Sequence, residues 1–500
     1  MLSVHANVET KTDPGQLPAW GQADLPAPPP FSFRNAWKLT GAATIALGVS
    51  IGSGEWLLGP AVTAKYGAAL LWIATVSILT QTILNQEMIR YTIATGEPIL
   101  IGVMRTKPGP KFWGVTYSLL LLLQVGWPGQ ALSAATAIAA AFKGSLPTVD
   151  DRQTVIMFGY ATLIAAVVII ALGKKIERTL EWAEGFMVTW ILVFLIIVGV
   201  FFTSVKTWGK VWSGFLGLGG NPIPQSGDWL LLASFAAYAG MGGLSNAAIT
   251  SWIRDKGWGM ARTVGYLPAI LGSQNVTLSQ VGNTFPLNQE NVGRFNLWMK
   301  FAKAEQYVVF CVGCFLGMAL PALMTVQFVP ADADITGGWG AAVHQAQGIA
   351  KVFGRTAWFL TLLNGFWILF STQLGFVEMF VRNVTEVSWT VSPRLRLLVK
   401  QDVRKVYYTL LGIYTLFGIW AITKAQPFTL IIIGAFIAGF NLVVLGTHTI
   451  VVQRKFLPAE LRMARWRLAV IVFMVALFSF FTYVGISSRS GDLMKAFGLR

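Results

Sequence analysis

The stretch Gly48–Gly59, GVSIGSGEWLLG, decides how this chain is read. It lies inside an apolar segment long enough to span a bilayer, yet it holds four glycines, two serines and one carboxylate, Glu55. Each Gly inside a helix costs about 1 kcal/mol against Ala. A carboxylate at membrane depth costs a further ~3 kcal/mol or more. Both costs in one place point to a discontinuous membrane helix whose break binds a substrate or an ion.

The composition supports a membrane setting. Of the 500 residues, 54% are hydrophobic and only 12% charged, with a mean hydropathy of +0.60. Soluble domains carry about 25% charged residues. The net charge of +16 would suggest nucleic acid in a soluble protein. Here the basic residues fall in short loops between apolar runs, which is the positive-inside pattern, so no nucleic-acid partner is expected. Cys311 and Cys314 form CVGC within an apolar run. Without a second pair to complete a zinc site they read as small residues packed between helices, with redox chemistry as the alternative. Residues 1–35 are polar and proline-rich and lack the apolar core of a signal peptide, so they read as a disordered cytoplasmic tail.

Eleven spans can be counted: Trp37–Ala64, Tyr66–Thr95, Phe112–Phe142, Thr154–Gly173, Leu180–Thr203, Trp229–Ile253, Ala304–Val326, Ala357–Val381, Val406–Thr423, Phe428–Val452 and Leu468–Ile486. Loops after the even-numbered spans hold the basic groups. Examples are Arg105, Lys107 and Lys111, then Lys174, Lys175 and Arg178, then Arg254, Lys256 and Arg262. That places the N-terminus in the cytoplasm and the C-terminus outside, in an inner, cytoplasmic membrane. Spans 1 and 6 both carry glycine clusters in mid-span: Gly52 and Gly54 in the first, Gly240, Gly242 and Gly243 in the second. Paired breaks at equivalent places in two halves mark an inverted-repeat transporter. The repeats would cover about 36–203 and 229–452 of a transmembrane domain at 36–487, with an extra helix at 468–486 and a short tail at 488–500. Helix packing through small residues is the alternative reading of the glycines.

GAATIALGVSIGSGEWLLGPAVTAKYGAALLW, the IATG at 93–96, LEWAEGFMV, AYAGMGGLSNAAITS and FSTQLGFVEMFVR together resemble the Nramp family of proton-coupled divalent-metal transporters. The resemblance runs from about residue 36 to 455 at low identity. It implies an all-α, polytopic LeuT-type fold with a 5+5 inverted repeat, helices 1 and 6 discontinuous, working by alternating access. The family's metal-binding Asp-Pro-Gly-Asn falls on Gly52, Ser53, Gly54 and Glu55, so the Asp is absent and the Asn is Glu. Its Met-Pro-His falls on Met241, Gly242 and Gly243, where only the Met is kept. Its acidic pair in the third helix falls on Trp127 and Gln130, and its span-10 Gln on Gln426.

The residues present still suit a cation. Glu55 supplies hard oxygens, and an unwound segment frees backbone carbonyls. Ser50, Ser53, Ser245 and Asn246 add neutral oxygens. Met241 is a soft ligand or a packing residue. Capping of the second half-helix is the plainer alternative for Glu55, and it does not exclude a substrate role. The substrate or metal site is therefore assigned to Gly52, Ser53, Glu55, Tyr238, Met241 and Gln426. Glu87, Arg90, Glu378 and His448 are candidates for a proton pathway, with ion pairs and packing as their plainer roles. Glu184 and Glu305, near span starts, read as interfacial. No nucleotide-binding or enzymatic motif occurs, so the chain reads as a secondary transporter and not an enzyme. Its substrate would be a divalent metal ion of the Mn/Fe/Mg class, with no resident cofactor, and its partners the bilayer and the transported cation. A transporter of a small organic solute, or a membrane scaffold or sensor, are the alternatives.

Overall fold

The computed structural model describes residues 17–488 apart from 172–175, 225–226, 269–278, 280, 331–332, 334, 336–338 and 340–342. Lys174 and Lys175, the first part of the N-terminal tail and the C-terminal tail beyond residue 488 lie outside the described residues. The chain is nearly all helix. In order, α1 is Phe33–Leu39, α2 Ala42–Ser50, α3 Gly59–Tyr66, α4 Trp72–Thr95, α5 Ile99–Met104, α6 Pro110–Val125 and α7 Gly129–Lys143. Then come α8 Arg152–Ala171, α9 Ile176–Phe202, α10 Val205–Phe215, α11 Trp229–Tyr238 and α12 Ser245–Asp255. The last part holds α13 Gln289–Ala304, α14 Val312–Phe328, α15 His344–Val391, α16 Pro393–Leu398, α17 Val403–Ile422, α18 Pro427–Phe456 and α19 Arg465–Ser488.

Among the described residues, eight helical stretches are long and apolar enough to cross a membrane. The other three segments read as spans are helical as well. Span 2 is α4, whose Gln81, Asn85, Gln86 and Glu87 lower its hydropathy and are all buried. Span 3 is α6 and α7, parted at Gly126–Pro128. Span 6 is α11 and α12, parted at 239–244. The chain is thus a multi-pass membrane protein. The first span is buried throughout, whereas α8, α9 and α19 turn much of their surface outward. Helices α2 and α3 therefore form the axis, packed by α9, α12, α14 and α15.

Several boundaries move. Span 7 begins much earlier than Ala304, because α13 runs through a π-helical turn at Glu305–Cys311 into α14. Span 8 is longer at both ends, with one non-helical residue, Gly354. The reading of 1–35 as a disordered tail fails for its second half. Gly21–Gln22 pairs in parallel with Asn283–Thr284. Arg105 donates to Pro18 O at 2.8 Å, Leu25 N–H to Asn291 at 3.1 Å and Trp298 to Pro26 O at 2.8 Å. The prolines remove backbone donors that would otherwise need partners, and the exposed carbonyls find them on α13 and just after α5.

Buried ion pairs tie the helices at one end. Arg382 on α15 pairs with Glu378 and with Asp255 at 2.5 Å, while Arg254 meets Asp255 and Glu386 at 2.7 Å each. Glu87 takes Arg90 at 2.6 Å and Arg467 at 2.7 Å, fastening α19 to α4. Removing one member of such a group strands the others without water. Arg382→Ala should therefore cost about 3–5 kcal/mol, seen as a lower thermal unfolding midpoint in detergent; a midpoint equal to that of the parent protein would contradict the account.

Candidate functional site

The two breaks face each other at the centre of the molecule, and they are built differently. In the span-6 break Gly240, Gly242 and Gly243 have φ of +110°, +77° and +51°. Only glycine takes these conformations without strain. In the first break no residue has positive φ among those described. Its glycines serve close approach: a Cβ on Gly54 would lie 2.1 Å from Tyr238 O, and one on Gly52 would lie 2.1 Å from Thr372 Oγ1.

Glu55 sits in a π-helical turn, Gly54–Leu58, and is fully buried. Its Oε2 accepts from Gly52 N–H at 3.1 Å, and its Oε1 from Gly240 N–H at 3.5 Å. One carboxylate thus joins the first break to the second. The capping reading of Glu55 fits this geometry, since the donors it satisfies belong to the two breaks.

The remaining backbone groups are met by amides and hydroxyls that the sequence reading passed over. Gln81 donates to Ala239 O at 3.0 Å and accepts from Gly242 N–H at 2.8 Å and from Asn246 at 2.9 Å. Gln124 accepts from Leu244 N–H at 2.9 Å and donates to Gly242 O at 3.2 Å. Ser371 and Thr372 on α15 donate to Gly48 O and Val49 O at 3.0 and 3.1 Å. Their signal was available: uncompensated amides inside apolar spans must find partners, and an unwound segment is the main supply of them.

Ser53 Oγ accepts from Gln130 Nε2 at 2.6 Å, bringing the residue at the family's acidic position into contact with the break. Gln130 Oε1 is buried with no hydrogen-bond partner, as is Gln373 Nε2; Gln373 is tied to α7 through Ala131 N–H at 3.0 Å. A buried oxygen with no partner, on a side chain bonded to the first break, is a neutral ligand free for a cation. Met241 is buried in the apolar core at the second break. Among the described residues no group of three His, Cys, Asp or Glu side chains is placed to hold a metal.

Other assignments fall away from this centre. Gln426 is exposed at the N-cap of α18. The amide that α18 brings to the breaks is Asn441, bonded to Gln124 at 2.8 Å. His448 pairs with Tyr117 at 2.5 Å and packs on Trp113. Glu87, Arg90 and Glu378 belong to the ion-pair clusters already described. Cys314 lies within hydrogen-bonding reach of Ser50, and both cysteines are free. The interfacial reading of Glu184 and Glu305 is overturned, for both are buried. Glu305 accepts from Gly41 and Ala43 N–H at 3.1 and 3.0 Å, capping α2.

The architecture matches solved transporters. The manganese transporter of Eremococcus coleocola, solved as a mutant with one histidine changed to alanine, superposes with a TM-score of 0.61 over 96% of this chain and 91% of that one, at 13% identity. A second mutant of the same protein, with one glutamate changed to glutamine, gives 0.62 at the same identity and coverage. MhsT in complex with L-phenylalanine gives 0.50 at 14% identity, over 90% of this chain and 98% of that one. No family model matches the sequence, and no curated protein matches it. The chain therefore has the LeuT-type fold of secondary transporters. Within that fold it resembles the manganese transporter, in keeping with the Nramp-like features of its sequence.

Gly54→Val tests the contact between the breaks. The added side chain would strike Tyr238 O and force the half-helices apart, at about 1–3 kcal/mol. The same substitution at Gly209, which has open space around it, should cost no more than the ~1 kcal/mol propensity scale. Equal thermal shifts for the two variants would refute the close approach.

Proposed function

We propose that this chain is a secondary transporter of cations, most directly of divalent metal ions of the Mn/Fe/Mg class, working by alternating access at the two facing breaks. The observation that carries the reading is Glu55: a fully buried carboxylate held between the breaks by two backbone N–H groups. A carboxylate there attracts a cation, and a carboxylate with four lone-pair sites has capacity beyond two donors. The breaks also carry Ser53 Oγ, the Gln130 amide bonded to it and Tyr238 O against Gly54, all hard oxygens, with Met241 at the second break and the Cys314 thiol near Glu55 as soft atoms. A single negative charge among neutral ligands binds less tightly than an all-carboxylate cage. That suits an ion that must be released on the other side.

Movement of the breaks supplies the alternation. The Gly240 N–H bond to Glu55, at 3.5 Å, lies at the weak limit for such bonds. Parting α11 from the first break costs little there and frees a carboxylate oxygen for the ion. The basic loops support an N-terminus on the cytoplasmic side of an inner membrane. A small organic solute is the second reading. It is favoured by the finding that, among the described residues, no group of three His, Cys, Asp or Glu side chains is placed to hold a metal, and a thermal-stability screen of organic ligands against metal salts separates the two.

In proteoliposomes tested with Mn²⁺, Fe²⁺, Mg²⁺ and Ca²⁺, Glu55→Gln should abolish uptake while the protein remains monodisperse and folded. Uptake unchanged from the parent protein would sink the assignment.

A further inference from the structure

Glu184 lies on α9, against the axis of the molecule. Its side chain is fully buried, and neither carboxyl oxygen has a hydrogen-bond partner. A Cβ on Gly48 would lie 2.1 Å from Glu184 Oε2, so the carboxyl rests directly on α2. Gly48 is one turn before Gly52, whose N–H is held by Glu55. Isolated ionised carboxylates are not sustained in such surroundings; they take up a proton instead. The sequence accepts this cost about two turns into α9, on the face that meets α2.

A route leads to it. Glu177, Glu181 and Glu184 follow at i, i+4 and i+7 along one face of α9. Glu177 and Glu181 line a cavity of about 640 Å³, together with Thr44, Lys38, Arg178 and Lys256. Thr44 is one turn before Gly48 on α2, so the cavity ends one helical turn from the buried acid. Lys256, just past the end of α12, approaches Glu181 at 3.1 Å and Glu177 at 3.8 Å. Among the described residues, these groups and Glu305, which caps α2, are the charged side chains that line the cavity or meet α2. The other helices packed on α9, namely α8, α14 and α15, bring Glu184 no hydrogen bond, since both its oxygens lack one. On α2 it rests against Gly48, one turn after Thr44.

We propose that Glu184 is the proton-binding site of this transporter, filled from the cavity by way of Glu181, with its occupancy linked to the position of α2. Protonation forms one O–H bond on the Glu184 carboxylate and breaks one on the donor, a hydronium ion in the cavity or the protonated Glu181 carboxyl, whose oxygen keeps the electron pair. With α2 seated on it the carboxyl is neutral. When α2 lifts and water reaches it, the proton leaves. The first break, which α2 carries, thus moves together with a proton exchange at α9. The coupling to cation movement rests on the transport reading above; the proton site does not.

Infrared difference spectroscopy on the full-length protein, titrated with pH in lipid, reads the site directly. A protonated-carboxyl band present in the parent protein and absent in Glu184→Gln is expected. No difference between the two spectra would overturn the proposal. In proteoliposomes loaded with a pH dye, parent Mn²⁺ uptake should vary with pH by up to about tenfold per unit, the limit for one linked proton, and carry protons with it. In Glu184→Gln, which imitates the protonated acid, both the pH dependence and the proton flux should be lost while Mn²⁺ still binds. Glu181→Gln, at a half-exposed position, should slow proton flux several-fold with the infrared band retained. Unchanged pH dependence and flux in Glu184→Gln would also overturn it. If no variant takes up any metal but the infrared band behaves as expected, the transport reading fails and the proton site stands.

Discussion

Backbone groups freed inside a bilayer must find partners within the protein, and this constraint organises the whole structure. Two spans are unwound at the centre, each exposing N–H and C=O groups that water cannot reach. Gln81, Gln124, Ser371 and Thr372 answer most of them, from α4, α6 and α15. Glu55 answers one N–H from each break. The helices around the axis are therefore where they are partly because each carries a donor or acceptor for the breaks. Packing alone would not fix their rotation, since apolar faces between lipid and protein are nearly equivalent.

This explains which features were legible in the sequence. The fold was readable because it rests on coarse signals: apolar runs of spanning length, basic loops, and two glycine clusters at equivalent places. The span-6 cluster was readable for a second reason, since three left-handed residues demand glycine. Glu55 stood out by its cost. The supporting amides did not stand out, because a Gln in an apolar helix has many plausible partners and only the fold selects one. Gln426 was misplaced for the complementary reason. Matching by family position carried it to the end of α18, while the amide that reaches the site, Asn441, lies about four turns further along the same helix. Glu184 and Glu305 were misjudged because nearness to a span end in sequence says nothing of which face the residue takes.

The departures from the Nramp pattern are also coherent as physics. Gly52, where the resemblance would put an Asp, carries no charge and lets Thr372 approach the backbone. Glu55 instead meets N–H groups of both breaks. Gln130, at the position of a family acid, keeps an oxygen free beside Ser53 without adding charge. The centre thus holds a single carboxylate, and the acids that remain lie toward α9 and the ion-paired end.

That distribution makes the two ends of the molecule unequal. At one end α12, α15, α4 and α19 are joined by ion pairs with little or no exposure, which cost several kcal/mol to break without replacement. At the other, the pairs Lys65–Asp228 and Lys143–Asp151 are partly exposed, and such pairs are worth about 0–1 kcal/mol. Separating helices at the exposed end therefore needs little more than the loss of apolar contact. At the buried end water must enter as the pairs part, because only solvation can compensate the stranded charges. The cavity between α1, α2 and α9 lies beside α12 at this buried end and already brings polar side chains to within a turn of Gly48. Displacing α2 there parts the Glu305 cap on Gly41 and Ala43 and the Lys256 bond to Thr40 O, both of which water from the cavity can replace.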